Sequence, residues 1–199
     1  MTENLTKQEQ QILLEVARQA IEKKVRGQEL PTIDLETLPP LLREQGASFV
    51  TLTKKGSLRG CIGTLEASQP LVNDVQLRAV AAALDDFRFP TVTPDELPEI
   101  KVEVSRLTSP QPLEYETPEE LLEKLRPGID GVVLRDGMRR ATFLPQVWEQ
   151  LPEPEQFLSR LCYKMGASMN AWREKKLDVS IYHVEKFKEE EASECTNSE

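Results

Sequence analysis

Two five-residue segments of this chain are nearly interchangeable: Lys101-Val102-Glu103-Val104-Ser105 and Lys176-Leu177-Asp178-Val179-Ser180. Each alternates apolar and polar side chains, the period of a half-buried strand. What precedes them also matches. Val50-Thr51-Leu52 with the returning Arg59 resembles Val132-Val133-Leu134 with the returning Arg139, and helical sequence follows each hairpin. Strand, strand, helix and strand therefore occur twice in one order. A chain built this way is expected to bury sheet under helices as a duplicated α+β unit.

The segments between fill in the plan. Thr6-Lys7-Gln8-Glu9 reads as a capping box. The apolar spacing behind it predicts a helix over 6–26, stopped at Gly27. Residues 28–46, rich in proline, read as a loop with a short turn at Leu41 and Leu42. Lys54-Lys55-Gly56 and Asp136-Gly137 are hairpin turns. Pro70–Leu84 and Glu155–Met165 read as helices, and Thr117-Pro118-Glu119-Glu120 opens another. Leu177–Val184 is the expected last strand, and the charged stretch 188–199 is an expected disordered acidic tail. The repeats fall at roughly 47–110 and 130–187.

The chemistry concentrates in Leu58-Arg59-Gly60-Cys61-Ile62-Gly63, on the returning arm of the first hairpin. Glycines in a strand point to a close approach of another backbone or a ligand. Strand alternation puts Arg59, Cys61 and Gly63 on one face and Leu58, Gly60 and Ile62 on the other, with Leu58 and Ile62 toward the core. A guanidinium roughly 7 Å along the strand favours a thiolate at Cys61. Two readings stand for this thiol: a reactive or ligand-contacting group, or a small buried hydrophobe beside a structural ion pair. Asp86 and Arg88 lie between a helix and Pro90. Phe87 and Phe89 are expected to anchor that loop while Asp86 pairs with Arg59, binds a ligand, or fixes the loop by a salt bridge. Arg139 and Arg140 offer a second cationic edge or a solvated strand face. His183 is the only histidine and continues the inward row of Leu177, Val179 and Ile181 as a structural residue. Cys162 reads as core, and Cys195 as incidental in the tail. No metal-ligand spacing, phosphate loop, dinucleotide fingerprint or nucleophile elbow is present, so no cofactor is expected.

Net charge is −9, which disfavours nucleic acid as a partner. No apolar run reaches membrane-span length, the N-terminus lacks signal-peptide order, and three scattered cysteines suit a reducing cytoplasm.

The hexapeptide, with Asp86-Phe87-Arg88-Phe89-Pro90, Val104-Ser105-Arg106-Leu107 and Ala141-Thr142-Phe143-Leu144-Pro145, resembles the AMMECR-one family, also known as system protein A of the AmmeMemoRadiSam set. The resemblance runs over roughly 8–187, within an expected domain of 1–187. It implies two β-β-β-α-α-type repeats sharing one barrel-like, mainly antiparallel sheet flanked by helices. It also implies a Memo-like protein and a radical SAM enzyme as neighbours, and no established reaction. The leading expectation is a binding or accessory protein. Its cleft at Arg59, Gly60, Cys61 and Gly63, rimmed by Asp86 and Arg88, would hold a partner segment or a small-molecule ligand. The alternative is a thiol-dependent enzyme or modifying subunit with Cys61 as nucleophile and Asp86 as the base available to it.

Overall fold

The computed structural model describes residues 4–189. In chain order the elements are helix α1 (Lys7–Val25), α2 (Pro40–Arg43), strands β1 (Gln45–Lys54), β2 (Ser57–Gly63) and β3 (Gln69–Pro70), helix α3 (Leu71–Leu84), β4 (Ile100–Leu107), β5 (Gln111–Pro112), α4 (Pro118–Lys124), β6 (Gly131–Asp136), β7 (Arg139–Phe143), α5 (Pro154–Lys164), α6 (Ala171–Glu174), β8 (Asp178–Tyr182) and β9 (Val184–Lys188). Among the described residues, 4–106 with 185–189 form one compact unit and 107–184 another.

The first unit holds a five-stranded sheet in the order β2-β1-β4-β9, with β3 paired to the start of β1. Thr6 closes the start of α1 as foreseen, its hydroxyl accepting from the Glu9 amide while the Glu9 carboxylate accepts from the Thr6 amide. Helix α3 packs on β1 and β2 and also against α1. The core joins Leu13, Ala17 and Ile21 of α1, Val72, Val75 and Ala79 of α3, and Val50, Leu52, Val102 and Val104 of the sheet.

The second unit holds a four-stranded sheet, β5-β8-β6-β7. Helix α5 covers β7, and Phe157, Leu158, Leu161 and Cys162 pack with Trp148, Trp172, Val132 and Leu134. Trp148 stacks on Phe157 at 3.7 Å between ring centroids. Cys162 is fully buried, and burial pushes its thiol pKa up.

The α+β class and antiparallel hairpins are as expected. The single shared sheet is corrected: the strands divide between two sheets. Each sheet contains a hairpin whose first strand also pairs with the strand after the helix, β2-β1-β4 in one and β7-β6-β8 in the other. Two details of the last segment also change. The expected strand 177–184 is broken at His183 into β8 and β9, and Lys188 ends a strand rather than opening a tail. Glu189 is tied down as well, accepting from Arg18 at 2.8 and 2.5 Å and from the Val102 amide at 2.9 Å. Residues 190–199, including Cys195, lie outside the described residues. Among those described, no helix is long and apolar enough to cross a membrane.

Candidate functional site

Strand β2 is an end strand of its sheet, so every second residue turns its amide and carbonyl away from β1. The pairing runs Leu52↔Gly60, Thr51↔Cys61 and Val50↔Ile62, then shifts so that Thr53 faces Leu58. Arg59 is thus the extra residue of a β-bulge. That bulge breaks the simple alternation. Leu58, expected in the core, is 44% exposed, whereas Ile62 beyond the bulge does pack on the core.

Gly60 is required by helix packing. A Cβ built there would lie 2.1 Å from the Ala82 carbonyl oxygen of α3, an impossible contact with backbone. A Cβ at Gly63 would lie 2.2 Å from the Phe49 ring and 2.6 Å from the Ser48 carbonyl oxygen. Both glycines therefore let other parts of the same chain approach closely.

Arg59 does not meet Asp86. Its Nε and Nη2 donate to the two carboxylate oxygens of Glu96 at 3.0 and 2.9 Å, and its Nη1 donates to the Pro90 carbonyl at 2.9 Å. Lys54 reaches the same carboxylate at 3.0 Å. The bonds from Arg59, then Thr93 and Lys54, hold the Glu96 carboxyl well below the usual range despite its partial burial. Arg59 is therefore a bidentate staple between β2 and the following loop.

Asp86 is 4% exposed and makes the loop-fixing salt bridge with Arg88. It accepts the Cys61 amide at 2.8 Å, and Arg88 binds it through Nε at 2.9 Å and Nη2 at 2.7 Å. Arg88 also donates to the Cys61 carbonyl at 3.2 Å. The ion pair thus takes both outward main-chain groups of Cys61, as a neighbouring strand would. Arg88 beside Asp86 holds its carboxyl far below the ordinary carboxylate range. A carboxylate so held is a poor proton acceptor, which removes the base foreseen for Cys61 chemistry.

The Cys61 thiol is half-buried and accepts from the Thr51 hydroxyl at 3.2 Å. His183 Nε2 lies 3.0 Å from the Asp130 carboxylate and 2.7 Å from Arg126 Nη2. It is half-exposed, so the inward row ends before it. Burial alone would raise the Asp130 carboxyl, but bonds from Arg126 and His183 outweigh that and lower it. Arg139 pairs with Asp136 and donates to the Gly166 carbonyl, while Arg140 stays exposed. Among the described residues, no three His, Cys, Asp or Glu side chains gather as a metal site.

Sequence reasoning missed Phe87. It is 94% exposed, not an anchor, although everything around it is fastened. Asp86 and Arg88 grip Cys61, the Phe89 amide donates to the Asp86 carbonyl at 3.0 Å, the Pro90 carbonyl is held by Arg59, and the Val92 amide donates to the Ala83 carbonyl at 2.9 Å. Residues 86–92 form a strap pinned along its length with one aromatic ring left in water. Alternating charge and aromaticity in Asp-Phe-Arg-Phe was the available signal, but it does not say which ring faces out.

A sequence model of the AMMECR1 (AMMECR-one) family matches residues 14–187. A protein of Methanothermobacter thermautotrophicus is 38% identical over 187 residues, covering 94% of this chain and 97% of its own length. A protein of Thermofilum pendens is 38% identical over 196 residues, covering 93% and 92%. The crystal structure of an uncharacterized protein, PH0010, from Pyrococcus horikoshii superposes with a TM-score of 0.68 at 35% identity, covering 89% of this chain and 90% of that one.

Proposed function

The chain belongs to the AMMECR1 family, and we propose that it is a binding or accessory protein whose contact face is the strap 86–92 seated on the Leu58–Gly63 strand. The carrying observation is Phe87, 94% exposed on a segment pinned on both sides. A rigid, solvent-facing aromatic beside a half-exposed arginine is the residue pairing that anchors protein interfaces, because neither has much freedom left to lose on binding. In this reading the hexapeptide works indirectly. Gly60 admits α3, whose end delivers the strap, and Cys61 and Arg59 are where the strap is tied. The partners we propose are the Memo-like and radical SAM proteins that the resemblance implies, in a reducing cytoplasm. The two hairpin-helix-strand blocks are proposed to be a duplication. With each purified candidate immobilised, Phe87→Ala is expected to weaken capture of the full chain by tenfold or more, as loss of an anchor residue does. Unchanged capture rejects the face.

The thiol-dependent reading keeps one supporting observation: Cys61 is half-buried, not sealed, and Arg88 stands at its carbonyl. Alkylation against pH, read by peptide mass spectrometry, separates the two. Cys61 is expected to react faster than buried Cys162. A midpoint well below the free-thiol value of about 8.5 would put the nucleophile reading ahead.

A further inference from the structure

The second unit carries an open pocket of about 420 Å³ between α5 and the segment leading into α6. Leu151 and Met169 give it an apolar side, while Gln156, Ser159, Arg160 and Asn170 line it with polar groups. Its charges are unequal. Glu155 is tied to Arg173 at 2.6 Å, and that pair stands between this pocket and a neighbouring one of about 370 Å³ beside Pro118 and Leu122. Arg160 is exposed and, among the described residues, meets no carboxylate. Two guanidinium groups thus face one carboxylate, leaving a net positive pocket in an acidic chain.

The hydrogen-bonding groups are oriented as well. Trp172, 1% exposed, donates its indole N–H to the Ser159 hydroxyl oxygen at 3.1 Å. With that oxygen accepting from inside, the hydroxyl proton is left to donate outward. Arg173 lies over the Trp172 ring at 4.5 Å, which fixes its guanidinium beside the pocket. Because both members of the Glu155–Arg173 pair are about half exposed, the bond between them is weak and exchangeable. An incoming carboxylate can take the place of Glu155 on Arg173.

We infer that this pocket binds a small organic anion, a carboxylate with an apolar tail. Arg160 and the Ser159 hydroxyl hold the charged end, and Leu151 and Met169 cover the tail. The volume exceeds what an inorganic ion fills and falls within the range of small-molecule sites. A planar carboxylate suits the fork geometry of a guanidinium. This site is separate in sequence from the strap and does not depend on it.

The full chain has two tryptophans, so a nitrogen-15 spectrum shows two indole N–H signals. Trp172 is bonded to Ser159 at the pocket, and Trp148 to the Asp130 carbonyl at 2.7 Å. Titration with hexanoate is expected to move the Trp172 signal saturably and leave Trp148 in place. Hexanamide, of the same shape without charge, is expected to leave both. Arg160→Gln removes an exposed residue and is expected to weaken hexanoate about tenfold, the loss of one charge-assisted bond. Hexyl phosphate is the second arm: tighter saturation than hexanoate keeps the anion site but moves its ligand to phosphate esters. Equal shifts with hexanamide, no saturable shift with either anion, or unchanged affinity in Arg160→Gln would overturn the assignment.

Discussion

The end strands β2 and β7 solve the same problem with different means. Their registers superimpose: Leu52↔Gly60 and Thr51↔Cys61 in one hairpin correspond to Leu134↔Ala141 and Val133↔Thr142 in the other. By this register Leu58 corresponds to Arg140, and Arg59, the extra residue of the bulge, has no counterpart in β7. Each strand exposes an unpaired carbonyl at the matched position, and each is covered by a cation, Arg88 on Cys61 and Lys164 on Thr142 at 3.0 Å. Blocking end strands with charge is a common defence against edge-to-edge pairing. Only β2 adds a carboxylate that takes the amide too, and only β2 replaces the alanine with glycine. The second sheet blocks its edge with one flexible side chain. The first uses an ion pair built on a buried carboxylate and a close helix, and so carries a rigid surface segment with Phe87 outermost. Edge protection is the general task, and the strap is what β2 has beyond it.

The comparison breaks most visibly at the glycine. Gly60→Ala is expected to destabilise the protein by about 3 kcal/mol, since Cβ cannot coexist with the Ala82 carbonyl. The mirror change Ala141→Gly is expected to lose only about 1 kcal/mol, from added chain freedom. Urea unfolding followed by circular dichroism measures both. Equal losses would mean that the glycine has no special role.

Next in size is the ion pair. Asp86→Asn is expected to lose about 2 kcal/mol at neutral pH, from weakened bonds to Arg88 and the Cys61 amide. Lys164→Met, at the exposed cap of β7, is expected to leave the unfolding midpoint within scatter. The Asp86 carboxyl titrates lower in the folded chain than in the unfolded one. Its contribution is therefore present above the unfolded value of about 3.9 and is lost as pH falls below it. The gap between the native chain and Asp86→Asn should begin to narrow below about pH 4 and go on narrowing as pH falls toward the lower folded value. A gap that does not change over that window would exclude ionic pairing as its source. The smallest expected effect sharpens the picture: Phe87→Ala should change stability by less than about 0.5 kcal/mol, as expected of a side chain standing in water. A larger loss would make Phe87 a packing residue and undo its use as an anchor.

Much of this was readable along the chain. The capping box at Thr6 and Glu9, both hairpins, α3, α5 and the burial of Val102, Val104 and Cys162 all follow from short-range rules of period, cap and turn. The special strand could be located because two glycines so close together are costly in an ordinary strand. Its wiring was not readable. Arg59 chose Glu96, 37 residues away, over Asp86, and Asp86 chose the Cys61 amide, 25 residues away, because carboxylates on one loop look alike until the backbone sets which lies in reach. Leu58 was misplaced because a one-residue bulge reverses an alternation that the sequence cannot show to be interrupted. Phe87 and Phe89 read alike, and only the pinning of the strap turns one outward.

The amino-acid sequence by itself determined most of the helices and strands, much of the core and the family, since these depend on local dihedral preference and on which side chains avoid water. The tertiary structure alone decided the partner of each charge, the face of each residue around the bulge and the ring left exposed. Those depend on distances between segments far apart in the chain, which exist only once the chain has folded.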